Sequence, residues 1–247
     1  MIVDVALYQN GHRVESVSNI SELIATARRE GGFVWLGLAE PTQSEFDLAA
    51  GELNLHPLAV EDAVNAKQRP KLEDYDGLTF FVLKTVFFDQ KEQEITTGEL
   101  MCFIEKNFIV IVRHGMGHPL STVRHDLEQK PDLLKLGPFA VLHAVADRVI
   151  DGYTLIANSL ELEVVSVENK VFNGKRQTFS QEIYFLKREI IEFKHAIEPL
   201  ILPINKLSNG IVEAVPYYNK ISIFSSKFWH VLEIHTINPS EHCWARS

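Results

Sequence analysis

At Pro138 the spacing of apolar residues changes from short strand-like runs to a stripe that only a long helix can present. Leu142, Val145, Val149, Tyr153, Ile156, Leu160, Val164, Val167 and Val171 recur at steps of three and four, with an eleven-residue repeat that keeps them on one side of a nearly straight helix. The spacing predicts a helix of about 30 residues. It stops at "FNGK", where Gly174 suits a C-terminal position, and Thr178 with Gln181 has the spacing of a capping box for the next helix. That second helix carries Ile183, Leu186, Ile190, Phe193, Ile197, Leu200, Ile204 and Leu207, so the two should pair as an antiparallel hairpin. Pro199 and Pro203 should bend it near its end. The pattern leaves two roles open: a packing arm for neighbouring subunits, or a pair that covers its own core.

Before Pro138 the chain alternates. "IVDVALY", "FVWLGL", "LTFFVLKTVFF", "LMCFIE" and "FIVIVR" are rich in β-branched and aromatic residues and read as strands, with "IEKNF" a tight hairpin between the last two. Helical stretches lie between them: Thr42 and Glu45 have capping-box spacing, and Pro57 suits a first helical position. The expected class is α+β, an α/β/α sandwich with a mixed β-sheet followed by a long antiparallel helical hairpin. Its expected divisions are a sandwich over 1–137, a helical arm over 138–218 and an atypical tail over 219–247.

Charge and composition exclude several functions. A net charge of −9 and an isoelectric point near 5.6 argue against nucleic acid, whose phosphates need a surplus of Lys and Arg. The two cysteines, Cys102 and Cys243, are too few for a thiolate metal site and suit a reducing compartment. The N-terminus lacks the basic start of a signal peptide. Apolar runs are about five residues long, whereas a membrane-spanning helix needs about 20. The chain itself is expected to be cytoplasmic or peripheral.

The stretch "LHPLAVEDAVNAKQRPKLE" holds the candidate site. Glu61 and Asp62 are neighbours on a short helix, so they diverge by about 100° and cannot chelate one ion from the same face. They could serve two nearby sites or simply be solvated. Lys67, Arg69 and Lys71 follow as ion-pair partners of modest worth. His114 and His118 have an i, i+4 spacing, but "RHGMGHP" is a loop with no acidic neighbour. No phosphate loop, dinucleotide fingerprint or nucleophile elbow appears, and Cys102 lies in an apolar strand. No positioned nucleophile or base accompanies the carboxylates, so the chain does not read as an enzyme.

Taken in order, "HPLAVEDAVNAKQRPKLEDYDGLTFFVLKT", "FVWLGL", "NFIVIVRHG", "AVADRVIDGYT" and "LKREIIEFKHAIEPL" followed by "AVPYY" resemble the soluble part of the CorA-type divalent-cation transporters. The resemblance covers residues 1 to about 218. It implies a cytoplasmic domain of a transporter in the cell inner membrane, assembled as a homopentamer under a magnesium or cobalt pore. It also implies that Glu61, Asp62 and Asp147 line regulatory sites for Mg2+ (or Co2+) between adjacent protomers. Weak, largely outer-sphere binding by one or two carboxylates fits magnesium. The resemblance implies in turn a gating mechanism in which facing carboxylates repel and a bound divalent ion turns that repulsion into a bridge that favours the closed ring.

The chain departs from the family pattern after "PYY". Where the resemblance implies an acidic residue, Asn219 and Lys220 stand, and the tail "NKISIFSSKFWHVLEIHTINPSEHCWARS" has no heptad, no spanning segment and no Gly-Met-Asn signature. These features lead to the expectation of a sensing domain truncated before the pore, with reading-frame loss near codon 218 and weakened assembly. The alternative is a free-standing soluble binding protein on the same fold.

Overall fold

The computed structural model describes residues 1–14, 19–89, 91–92, 94–116, 120–173 and 179–208. Strands β1 (Ile2–Gln9), β2 (His12–Val14), β3 (Phe33–Ala39), β4 (Lys71–Tyr75), β5 (Leu78–Asp89), β6 (Glu94–Glu105) and β7 (Phe108–His114) form one sheet in the order β2-β1-β3-β7-β6-β5-β4. Only β3 and β7 run parallel, from Val34↔Phe108 to Ala39↔Arg113, and every other neighbour is antiparallel. The sheet is therefore mixed, as expected. Its central strands are apolar on both faces because both are covered.

Side-chain alternation divides the core in two. Phe80, Val82, Met101 and Phe103 face one layer, made by α1 (Ile20–Glu30), α2 (Gln43–Leu53) and α3 (Pro57–Asn65). Phe81, Leu83, Cys102 and Ile104 face the other. That layer holds α4 (Ser121–Glu128), α5 (Pro131–Leu134), α6 (Pro138–Asn173), α7 (Ser180–Ile197), a 3-10 turn over Glu198–Leu200 and α8 (Ile201–Ser208).

Thr42 and Glu45 form the full reciprocal capping box, and Pro57 occupies the first turn of α3. Pro199 ends α7 in the 3-10 turn, and Pro203 falls in the first turn of α8, where a missing N–H costs little. At α7 the N-cap is Phe179, whose side chain accepts no hydrogen bond from the first turn, and the expected cap residues Thr178 and Gly174 lie outside the described residues. Strands β2 and β4 carry no apolar alternation, since each lies at an edge with one neighbour.

The hairpin covers its own core over the proximal part of α6 only. Helix α6 runs for 36 residues, and its stripe is buried only as far as Leu160. Val164 and Val167 are half-buried and Val171 is exposed, so the distal part extends beyond its own core. Tyr153 meets Phe193 edge to face at 6.2 Å, which joins α6 to α7 above the sheet. Buried Glu189 fixes α7 to the sheet edge region by accepting the Ile95 N–H at 2.6 Å and the Arg188 guanidinium at 3.1 Å. Glu189→Ala should orphan the Ile95 amide and cost about 1–3 kcal/mol. Faster hydrogen exchange at Ile95, with the urea midpoint lowered, checks this.

At the other edge, the Arg124 guanidinium lies 4.1 Å from the Trp35 ring centre and 3.0 Å from Asp4, which also accepts both arms of Arg13. Burial alone would raise the Asp4 pKa, but Arg13 and Arg124 together hold it below the usual carboxylate value. A depressed folded-state pKa contributes stability above the unfolded value, near 4, and that contribution is lost as pH falls through the folded value. Asp4→Asn should flatten this part of the stability profile, read from urea midpoints between about pH 5 and 2.

Candidate functional site

Helix α3 owes its position to three contacts. Ala59 and Ala63 are buried against the sheet, and the small side chains allow a close approach. The His56 ring stacks on Tyr75 at 4.5 Å and 15°, holding the start of the helix over β4. The His114 ring bridges the Ala63 carbonyl, at 3.0 Å, to the Glu40 carboxylate, at 3.4 Å. Glu40 also accepts the Gly115 N–H. His114 is thus an internal tie between α3 and the ends of the parallel strands, and His118 lies outside the described residues.

Glu61 and Asp62 have different surroundings. Asp62 is half-buried and accepts Lys71 Nζ at 2.6 Å, and the same ammonium contacts Glu73 at 2.6 Å above the Phe80 ring. Burial opposes the charge on Lys71, yet the two carboxylates hold its pKa above the ordinary lysine value. Burial likewise acts to raise Glu73, but the Lys71 ammonium and the Tyr75 hydroxyl outweigh it and depress its pKa. Tyr75 is pushed up to about 12 by burial and by its bond to Glu73. Lys71 therefore stands where a small cation could, and any ion reaching Asp62 would compete with it.

Glu61 is exposed. It lines a shallow concavity with Gln43, Asn65, Pro57, Val60 and Val64. The carboxylate and two side-chain amides offer hard oxygen donors, the type that magnesium takes. Nothing comparable with a thiolate or imidazole set lies there.

Below α3 the chain turns through Ala66, at φ 50° and ψ −165°, and Lys67, at φ 55°. Conformations of this kind cost of order 1–3 kcal/mol per residue and persist only where neighbours impose them. Here the Gln68 N–H reaches buried Glu99 at 3.1 Å, and Glu99 pairs with Lys84 at 2.5 Å. The Lys84–Glu99 pair gives no sequence signal, because Lys84 lies inside a run read as an apolar strand and Glu99 lies just before another.

Asp147 is half-buried on α6 and makes contacts of its own. It belongs to the layer on the opposite side of the sheet from α3, so one chain does not bring it to Glu61 and Asp62. Among the described residues no group of three or more His, Cys, Asp or Glu converges. No described helix is long and apolar enough to cross a membrane. Asn219, Lys220 and the aromatic tail lie outside the described residues.

Comparison with known proteins bears on the fold and the family. Residues 30–220 match the model of the family described as CorA-like Mg2+ transporter protein. The cobalt/magnesium transport protein CorA of Thermotoga maritima is 24% identical over 194 residues, which is 76% of this chain and 55% of that protein. The putative metal ion transporter YfjQ of Bacillus subtilis is 26% identical over 166 residues, 67% of this chain and 51% of that protein. The chain thus spans about half the length of these curated relatives. The soluble domain of CorA from Methanocaldococcus jannaschii superposes with a TM-score of 0.71 at 13% identity, covering 95% of this chain and 92% of that one. The complete CorA of the same organism gives 0.70 and 14%, covering 95% of this chain and 73% of that one. From the sandwich, the helical hairpin and the family match over most of its length, this chain belongs to the CorA-like Mg2+ transporter protein family.

Proposed function

We propose that this chain is the divalent-cation-sensing domain of a CorA-like transporter, with Mg2+, or Co2+ in its place, as a regulatory ion held between copies. The observation that carries the reading is the contrast within the acidic pair: Glu61 lies open beside two amide side chains, while Asp62 is neutralised by Lys71. Magnesium keeps most of its waters and needs only one or two carboxylates, so Glu61 supplies the direct or water-mediated charge. Asp62 joins only if the ion displaces Lys71. Asp147, across the sheet, meets such a site only on a neighbouring copy. Cation binding between copies lowers carboxylate repulsion there and stabilises the assembled form, which is how occupancy reaches a pore. Relatives named as cobalt and magnesium transporters support this choice of ions.

Thermal unfolding with Mg2+, Co2+ or K+ tests it. A site filled at 100 times its Kd adds about 2.7 kcal/mol to stability. Mg2+ should raise the melting temperature, Glu61→Ala should abolish the rise, and Lys71→Met should strengthen it by freeing Asp62. Superimposable melting curves with and without divalent ions would sink the sensor reading.

A further inference from the structure

Strand β4 gives one of its faces to α3, and that face is polar. Alternation places Lys71, Glu73 and Tyr75 on it, while Leu72 enters the core on the other side of the sheet. The three form a ladder. Lys71 Nζ stands 2.6 Å from the Glu73 carboxylate, the Tyr75 hydroxyl donates to Glu73 at 2.7 Å, and the His56 ring stacks on Tyr75. Asp62 reaches the same ammonium from α3 at 2.6 Å, and the ammonium lies 5.4 Å from the centre of the Phe80 ring. The side chains of Lys71 and Asp62 are each 26% exposed and that of Glu73 40%, so an ion from solvent has access to both carboxylates. Two carboxylates and one ammonium leave these three groups with one negative charge. Lys206 on α8 also acts on Glu73, but from an exposed position where solvent screens it more strongly than Lys71.

We infer that Lys71 is a specificity-determining residue for Asp62, a tethered monovalent cation that yields to divalent ions and excludes monovalent ones. Charge decides the exchange. K+ in place of the ammonium swaps one positive charge for another and forfeits a charge-assisted hydrogen bond. Mg2+ brings twice the charge, which doubles its attraction to Asp62 at a given distance, and its retained waters supply donors of their own. The displaced ammonium is not stranded, because Glu73 keeps it. Neither partner of a partly buried pair is then left alone, which is the costly outcome when such a pair is broken. Without the ammonium, Asp62 and Glu73 would lose their shared cation, and any small cation would serve. The inference rests on the reading above, in which a divalent ion reaches α3, and adds what keeps the more abundant monovalent ions out.

Thermal unfolding of the whole chain in MgCl2, KCl and choline chloride at equal ionic strength tests this, with choline as the cation too large to enter. The parent should gain stability from Mg2+ and respond to K+ no more than to choline. Lys71→Met keeps the apolar stem beside Phe80 and removes the charge. It should gain a K+ response above the choline baseline, and its half-saturating Mg2+ concentration should fall by roughly fivefold, the worth of about one exposed ion pair. Lys71→Gln, a second neutral variant should methionine disturb folding, should do the same. Lys71→Arg keeps the charge and should stay silent to K+. Adding Asp62→Asn to Lys71→Met should abolish the K+ response. A parent that already responds to K+, neutral variants that respond to Mg2+ but not to K+, or an arginine variant that gains the K+ response would each overturn the filter and leave the sensor reading standing. A parent silent to Mg2+ beside a responsive Lys71→Met would support the lysine as occupant and count against the sensor. Silence of every variant to every ion overturns both.

Discussion

Replacing Glu99 with alanine is expected to destabilise the fold by about 3–5 kcal/mol, the range for removing one partner of a buried ion pair. Glu99 is 5% exposed, and its two oxygens are used separately, one by Lys84 Nζ and one by the Gln68 N–H. The variant would leave an ammonium in a largely apolar setting and an amide without an acceptor. A pair of this kind need not be stabilising as a whole, because removing both charges can be neutral or better. Lys84→Met with Glu99→Leu should therefore recover much of the loss. Equilibrium urea unfolding of the single and double variants measures both numbers. A Glu99→Ala chain within about 1 kcal/mol of the parent would mean that water reaches Lys84 and that the pair is in effect a surface bridge. The change should also be felt at the candidate site, since Gln68 belongs to the turn that follows α3. Without its anchor, the strained Ala66–Lys67 conformation loses a restraint, and the response to Mg2+ should weaken even under conditions where the chain stays folded.

The second large effect is expected at Phe103, near the C-terminal end of β6 and fully buried. Its ring lies 4.8 Å from Phe80 and 5.7 Å from Phe46, so it joins the sheet to α2. Phe103→Ala removes both aromatic contacts and leaves a cavity between two rigid layers, with an expected cost of about 3–5 kcal/mol. Phe103→Leu keeps most of the volume and should cost much less, although more than an exposed substitution. The difference between the two variants, read from urea or thermal unfolding, isolates the cavity from the lost ring contacts. Equal losses would show that the aromatic geometry, and not volume, governs this part of the core.

Much of the architecture is legible in the chain because it follows from periodicity. The apolar strands β1, β3, β5, β6 and β7, the Thr42–Glu45 box, Pro57 and the long stripe of α6 each carry a local signal that tertiary contacts reinforce. Strand β4 is different. "KLEDY" is polar because its place at the sheet edge asks for hydrogen bonds on one side only, and its lysine turns out to be the partner of Asp62. A spacing argument separates Glu61 from Asp62 by angle, but only the fold shows that one is open and the other already has an ammonium against it. Asp147 could be placed on α6 from sequence, yet the side of the sheet that α6 covers depends on chain topology, which no local pattern encodes. The Lys84–Glu99 pair is hidden for a similar reason: charged residues in an apolar strand mark an edge as readily as a buried pair, and partners lying on different strands share no spacing.

The single parallel pairing in the sheet has a kinetic consequence. Strands β4 to β7 are joined by short turns and contact their neighbours in sequence, so that half can form from local encounters. Strand β3 must wait for β7, since Val34 pairs with Phe108 across most of the intervening domain. Loop closure of that length raises contact order and slows folding. While the ribosome is still extending the chain, β1 and β3 exist without the strand that covers their open side. In that interval an apolar edge, "FVWLGL", is available to any other nascent copy. Emergence of β7 ends the exposure, and the order of synthesis makes it the strand that commits the two halves to one sheet.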